Sequence, residues 1–256
     1  MLTRSIARRC LSRSAALRTF STSSEHDELL NSEREAMEYD VLIIGAGPAG
    51  LSAAIRLKQL EAEKGKEISV CVVEKGAEVG AHILSGNVFE PRALDELIPD
   101  WKDAPEDERI PLNTPAGDDK FIMMTSETAG INVPGVLLPH WMHNDGNYIS
   151  SLSQVVRWLG TYAENLGVEI YPGFSASEVV YREDGSVKGI ATRDVGINKD
   201  GTPKETFMRG MELHGKQTLF GEGCRGSCSE SVMTQFDLRE GTNTIKGKEV
   251  KRNEQV

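Results

Sequence analysis

Apolar residues fall in two kinds of pattern along the first third of the chain. "YDVLII" (39–44) and "ISVCVVEK" (68–75) are short, continuous and rich in β-branched residues, which predicts two buried strands. Between them, "PAGLSAAIRLKQL" (48–60) has helical spacing and turns Leu51, Ala54, Ile55 and Leu57 towards one side. "EAEKGKE" (61–67) reads as a charged connection with a glycine stop. Strand, helix and strand in this order form a βαβ unit, whose two strands must be parallel.

Later segments alternate differently. Residues 87–147 are rich in Pro, Asp and Gly and show little period. Two apolar patches interrupt them, "FIMMT" (121–125) and "INVPGVLLPHWM" (131–142), and "SETAG" between them can turn a hairpin. "ISSLSQVVRWLGTYAENLG" (149–167) is an amphipathic helix pattern ending at Gly167. "VEIYPG" reads as a strand, "ASEVVYREDGSVKGIAT" as a hairpin around Asp184-Gly185, and "MELHGKQTLFGEG" as strand leading to a second glycine turn. From Gly241 the chain is polar without apolar period, the pattern of a frayed tail. The fold class expected is α/β, Rossmann-like, built on a parallel sheet.

Composition refines this picture. The net charge of −10 disfavours non-specific nucleic-acid binding. Residues 1–24 run against that balance, with five arginines, many serines and no acid, the pattern of a mitochondrial transit peptide. Residues 25–37 form a polar linker. No segment reaches the roughly 18 apolar residues of a spanning helix. Cys224 and Cys228 have no second pair to complete a metal site, so free thiols are expected.

The candidate chemistry sits at the first strand-to-helix junction, Gly45-x-Gly47-x-x-Gly50. The first glycine allows the tight turn, the second lets a pyrophosphate approach the backbone, and the third lets helix and strand pack closely. The helix N-terminus then holds the phosphates. Glu74 ends the second strand, where a carboxylate can accept hydrogen bonds from an adenosine ribose and would repel a 2′-phosphate. The turn alone leaves NAD and FAD open. Its position at the start of the mature chain favours FAD, as does the acidic-Gly turn in "TLFGEGCRGS" (218–227).

Five segments carry a resemblance: "GAHILSG" (80–86), "NDGNYI" (144–149), "LGVEIYPG" (166–173), "DGSVKGIATRDVGINKDGTPK" (184–204) and "FGEGCRG" (220–226). Together they resemble the electron transfer flavoprotein–ubiquinone oxidoreductase family over roughly residues 38–239. The resemblance implies an electron-transferring-flavoprotein dehydrogenase, passing electrons from reduced electron transfer flavoprotein to ubiquinone through FAD on the matrix side of the mitochondrial inner membrane. It implies an FAD domain over 38–86 and 148–239, and a partial quinone-binding, membrane-facing region over 87–147 with its apolar hairpin at about 121–142. It also implies a [4Fe–4S] domain, for which this chain has no Cys-x-x-Cys ligand cluster.

Carried over by position, Gly45, Gly47 and Gly50 cradle the pyrophosphate and Glu74 the ribose. Gly80, His82, Ser85 and Gly86 match the loop beside the flavin, and Glu222, Gly223 and Gly226 the second FAD turn. No catalytic acid, base or nucleophile is implied. Cys228 and Gly221 depart from the residues expected there, and the tail 240–256 does not follow the family. The chain ends short of the family's length, which reads as a truncated form. Two alternatives stay open: another flavoprotein reductase or monooxygenase of a lipid substrate, or an inactive FAD-binding fragment.

Overall fold

The computed structural model describes residues 28–106 and 108–240. The expected leader at 1–24 and the tail beyond Glu240 therefore lie outside the described residues. After helical residues at 28–30 come β1 (Ala36–Ile44), α1 (Pro48–Lys64) and β2 (Val70–Glu74). A long excursion follows, with β3 (Asn87–Phe89), α2 (Arg92–Leu97), β4 (Thr114–Pro115), β5 (Phe121–Met124), β6 (Gly130–Val133) and β7 (Tyr148–Ser150). Next come α3 (Leu152–Asn165), β8 (Glu169–Pro172), β9 (Ala176–Tyr181) and β10 (Val187–Thr192). The ribbon of β11 (Val195–Ile197) and β12 (Pro203–Met208) leads to β13 (Glu212–Phe220) and α4 (Ser227–Gln235).

The main sheet has six strands in the order β8-β2-β1-β13-β10-β9. Its first four are parallel, as the βαβ reading requires; β10 joins antiparallel to β13, and β9 antiparallel to β10. Chain order reverses around β1: β2 lies on one side and the much later β13 on the other. In open α/β sheets a ligand crevice forms at such a switch point, outside the carboxyl ends of the strands.

α1 begins where Pro48 supplies a fixed φ and has no N–H to leave unpaired. It ends at Gly65, whose left-handed backbone (φ 62°) lets its N–H reach the Glu61 carbonyl at 2.8 Å. The helix thus runs through Lys64, into the expected charged connection at 61–67; Glu, Ala and Lys at 61–64 are good helix formers, and only Gly65 stops them. Leu51, Ala54 and Ile55 are fully buried, while Leu57 is half-buried at the edge of the same cluster. Burying side chains such as Leu51 and Ile55 contributes about 1.5–3 kcal/mol each.

The core lies on both faces of the sheet. On one, α1 and α3 pack over Ile43, Val70 and Val72, and Leu94, Ile98, Trp101, Ile110 and Leu112 of the excursion join the same cluster. The weakly periodic segment 87–113 therefore shares the core of the βαβ unit. On the other face lie Leu42, Ile44, Cys71, Val73, Ile190 and Leu213. There the hydroxyls of Tyr39 and Tyr171 both donate to Glu169 Oε2, at 2.9 and 2.8 Å.

The excursion also carries the expected apolar hairpin, β5 paired antiparallel with β6. Phe121, Ile122, Met123, Met124 and Ile131 are all exposed, as are Val136, Leu137 and Trp141 beyond it; Leu138 is half-buried.

Candidate functional site: a cavity between two glycine turns

A cavity of about 640 Å³ opens at the carboxyl ends of β1, β2 and β13. The two glycine turns are tied across the sheet. Gly45 donates to the Val73 carbonyl at 2.8 Å, and Gly221 to the Ile44 carbonyl at 2.7 Å. Gly45 has φ +106°, and a Cβ there would stand 2.5 Å from the Gly221 carbonyl oxygen. Only glycine combines that backbone with that approach.

The three fingerprint glycines do different work. Gly47 is the residue before α1, with extended backbone and no atom within 4 Å of a Cβ position, so its open side faces the cavity it lines. Gly50 is buried, and a Cβ on it would run into the Gly45 carbonyl oxygen. It sets the closeness of helix to turn and lines no part of the cavity. The first turn of α1 has no acidic residue and no side-chain cap, so its N–H groups and positive dipole end remain for an anionic ligand.

Glu74 reaches into this turn. Its Oε2 accepts from the Ala46 N–H at 3.0 Å and its Oε1 from the Gly76 N–H at 2.7 Å. The carboxylate joins the phosphate turn to the loop after β2 and keeps lone pairs towards the cavity it lines.

Of the loop at 80–86, Gly80 and His82 line the cavity while Ser85 and Gly86 do not. Gly80 (φ +82°) lies against the start of α3: a Cβ would meet the Ser153 carbonyl oxygen at 2.6 Å, and Ser153 Oγ donates to the Gly80 carbonyl at 2.7 Å. Ser85 Oγ pairs with Ser151 Oγ at 3.1 Å, fixing the loop's far side to the same helix end.

At the second turn, Glu222, Gly223 and Gly226 all line the cavity. The Glu222 carboxylate turns back onto α4, accepting from Ser229 N–H and Ser229 Oγ, each at 2.7 Å. Residues not named as site candidates from the sequence complete the wall: Lys75, Phe174, Ser175 and Ala176, with Arg225 from inside the second turn. Phe174–Ala176 arrive because β8 pairs with β2 and sets Pro172 opposite Glu74. That juxtaposition depends on strand register across nearly a hundred residues, and nothing local in the sequence shows it. Among the described residues, no cluster of three or more His, Cys, Asp or Glu is placed to hold a metal ion, and no helix is long and apolar enough to cross a membrane. Cys71 and Cys228 are buried thiols and Cys224 is exposed; none is in a disulfide.

Comparison with known proteins agrees with this geometry. Residues 43–98 match the NAD(P)-binding Rossmann-like domain family. The chain is 59% identical over 210 residues to the mitochondrial electron transfer flavoprotein-ubiquinone oxidoreductase of Arabidopsis thaliana, covering 82% of this chain and 32% of that protein. It is 58% identical over 208 residues to the Pseudomonas aeruginosa enzyme of the same name, covering 80% and 37%. Among solved structures, a myxobacterial FAD-dependent chondrochloren halogenase shares the fold, with a TM-score of 0.50 at 16% identity, over 76% of this chain and 39% of that one. The chain spans about a third of the length of the curated relatives it matches. Over that stretch, the chain is similar to electron transfer flavoprotein–ubiquinone oxidoreductases.

Proposed function

We propose that the chain binds FAD in the cavity between its two glycine turns, as the flavin-holding part of an enzyme that passes electrons from electron transfer flavoprotein to ubiquinone. One observation carries the reading. The uncapped N-terminus of α1, with the open position at Gly47, sits at the switch point between β1 and β13. That is a cradle shaped for a diphosphate.

The chain's own residues then divide the ligand. The α1 end takes the diphosphate, with Gly45 and Gly50 fixing the turn. Glu74 takes the adenosine ribose, since its unused lone pairs accept hydroxyl hydrogens. Gly80 and His82 lie towards the flavin ring, with Ser85 holding that loop to the start of α3 and Gly86 (φ +81°) turning the chain after it. Gly223 and Gly226 close the opposite wall. A flavin supplies electron exchange in steps of one or two, which a one-electron donor and a two-electron acceptor require. The protein binds and orients it and needs no nucleophile.

The mitochondrial names among the relatives, together with the Arg-rich start of the chain, support a mitochondrial location. The exposed hairpin β5–β6 is apolar enough to rest on the inner membrane. With an acidic chain, that docking is apolar rather than electrostatic.

Purification of the full chain followed by FAD titration tests the reading. Stoichiometric binding with the absorption bands of a protein-held flavin supports it. A protein that folds and stays colourless at saturating FAD refutes it. Bleaching of the bound flavin by reduced electron transfer flavoprotein then tests electron entry.

A further inference from the structure

The two carboxylates on the cavity wall are deployed differently, and the difference concerns Glu222. α4 starts at Ser227, and its first free N–H groups point at the cavity's second turn. That helix end would be a second anion site, competing with α1 for the diphosphate. It is already filled. Glu222 Oε2 accepts from Ser229 N–H and Ser229 Oγ at 2.7 Å each, and Oε1 lies 3.4 Å from Cys228 N. Gly226 makes the fold-back possible: a Cβ there would stand 2.5 Å from Glu222 Cβ and 2.6 Å from its Oε2. At Gly226 the φ is −68°, which any residue adopts, so the need for glycine there is packing alone.

We infer that Glu222 is a positioning residue: its carboxylate serves as the resident anion of α4, locks the turn 221–226, and so confines the cofactor's diphosphate to the α1 end. This inference rests on the FAD reading for its consequence but not for its geometry. The turn then presents backbone and the Arg225 side chain to the ligand, while the Glu222 charge is spent on helix amides.

Four full-length chains test it: wild type, Glu222→Ala, Glu222→Gln and Gly226→Ala. The first measurement needs no cofactor. Amide hydrogen exchange at Cys228 and Ser229 is expected to quicken roughly tenfold in Glu222→Ala and Gly226→Ala, the loss of one cap. Glu222→Gln, which keeps an acceptor of the same shape, is expected to stay within about threefold of wild type. The second measurement is FAD affinity. Kd is expected to rise roughly tenfold in Glu222→Ala and Gly226→Ala and to be largely rescued in Glu222→Gln. Unchanged exchange at Cys228 and Ser229 overturns the inference whatever FAD does. Quickened exchange with unchanged Kd overturns it too, because the cap is then structural and positions nothing. A Glu222→Gln chain that binds FAD as poorly as Glu222→Ala, with exchange still protected, shows direct contact of the carboxylate with the cofactor and likewise overturns it. If wild type binds no FAD, the functional reading fails, and the exchange data still decide whether Glu222 holds the turn.

Discussion

Replacing Gly45 by alanine separates the two tasks of the phosphate turn, because Gly47→Ala supplies its internal control. At Gly45 the new methyl meets two obstacles. The backbone sits at φ +106°, outside the range of L-residues, which costs about 1–3 kcal/mol. The methyl would also lie 2.5 Å from the Gly221 carbonyl oxygen and 2.9 Å from its carbon. A relaxed carbon-to-oxygen contact is about 3.3 Å, so the turns must part by about 0.8 Å. Both partners are backbone held in strand pairing, so no side chain can yield; such overpacking costs a further 1–3 kcal/mol or so. The sum, about 2–6 kcal/mol, is a large share of the about 5–15 kcal/mol that a domain has. At roughly 2–4 °C per kcal/mol, Tm falls by about 4–24 °C. Gly47 has ordinary backbone and nothing within 4 Å of its Cβ position. Gly47→Ala therefore loses at most about 1 kcal/mol of helix capping, yet the methyl enters the path of the diphosphate and weakens FAD roughly tenfold or more. Thermal unfolding without FAD, and FAD titration by flavin fluorescence, read the two effects separately. A Gly47→Ala chain with wild-type FAD affinity, or a Gly45→Ala chain as stable as wild type, would refute the division of labour.

Three further outcomes follow from other parts of the molecule. Gly189→Ala forces a methyl into the Leu213 carbonyl oxygen and to 2.8 Å from His214 Cα, so it should cost about 2 kcal/mol in thermal unfolding while the FAD Kd of the folded fraction stays put. Burial pushes the Cys71 thiol up to about 12 from its ordinary 9.0; the raised value means its contribution to stability is whole below pH 9 and declines as pH climbs from 9 to 12. Iodoacetamide at pH 8 should accordingly label exposed Cys224 and spare Cys71 until denaturant is added, and prompt labelling of Cys71 in the native chain would contradict its burial. On the hairpin, Ile122→Asp with Met124→Asp should abolish flotation with zwitterionic lipid vesicles and leave Tm within about 2 °C, since both side chains are exposed; persistent flotation would move the docking surface elsewhere.

Much of this architecture was legible because its signals are local. The run "YDVLII", the fingerprint glycines and the helix after them occupy one contiguous stretch, residues 39–64, and each choice agrees with its neighbours. The hairpin at Asp184-Gly185 and the apolar hairpin at 121–133 were legible for the same reason, as turn chemistry flanked by apolar runs. Two kinds of feature were not. α2 is six residues long and too short for helical periodicity to show, although Leu94 anchors it in the core. α4 follows directly on a glycine turn and carries polar residues, with Cys228 its one fully buried side chain, so it lacked an apolar stripe. The wall formed by Phe174–Ala176 and the inward turn of Glu222 depend on strand register and on a cap made across seven residues. Position in a motif placed Glu222 beside the cavity; only the geometry shows which atoms its carboxylate serves.

The place of β1 between β2 and β13 has a consequence in time. β1 and β2 can pair as soon as both have been synthesised, but the other edge of β1 stays bare until β13 exists. The ion pair of Asp40 with Lys216 across that edge joins residues 176 apart. At about 5–20 residues per second, a ribosome takes on the order of 10–35 s to cross that gap. Throughout it, Leu42, Ile43 and Ile44 form an apolar strand with an unpaired edge, the condition that invites pairing with another chain. The phosphate turn likewise has no opposite wall until Gly221 arrives, so the cofactor is captured at the last step of assembly and cannot nucleate it. Closing that long loop carries an entropy cost that the local helices do not, and a contact of this sequence separation is of the kind that slows folding.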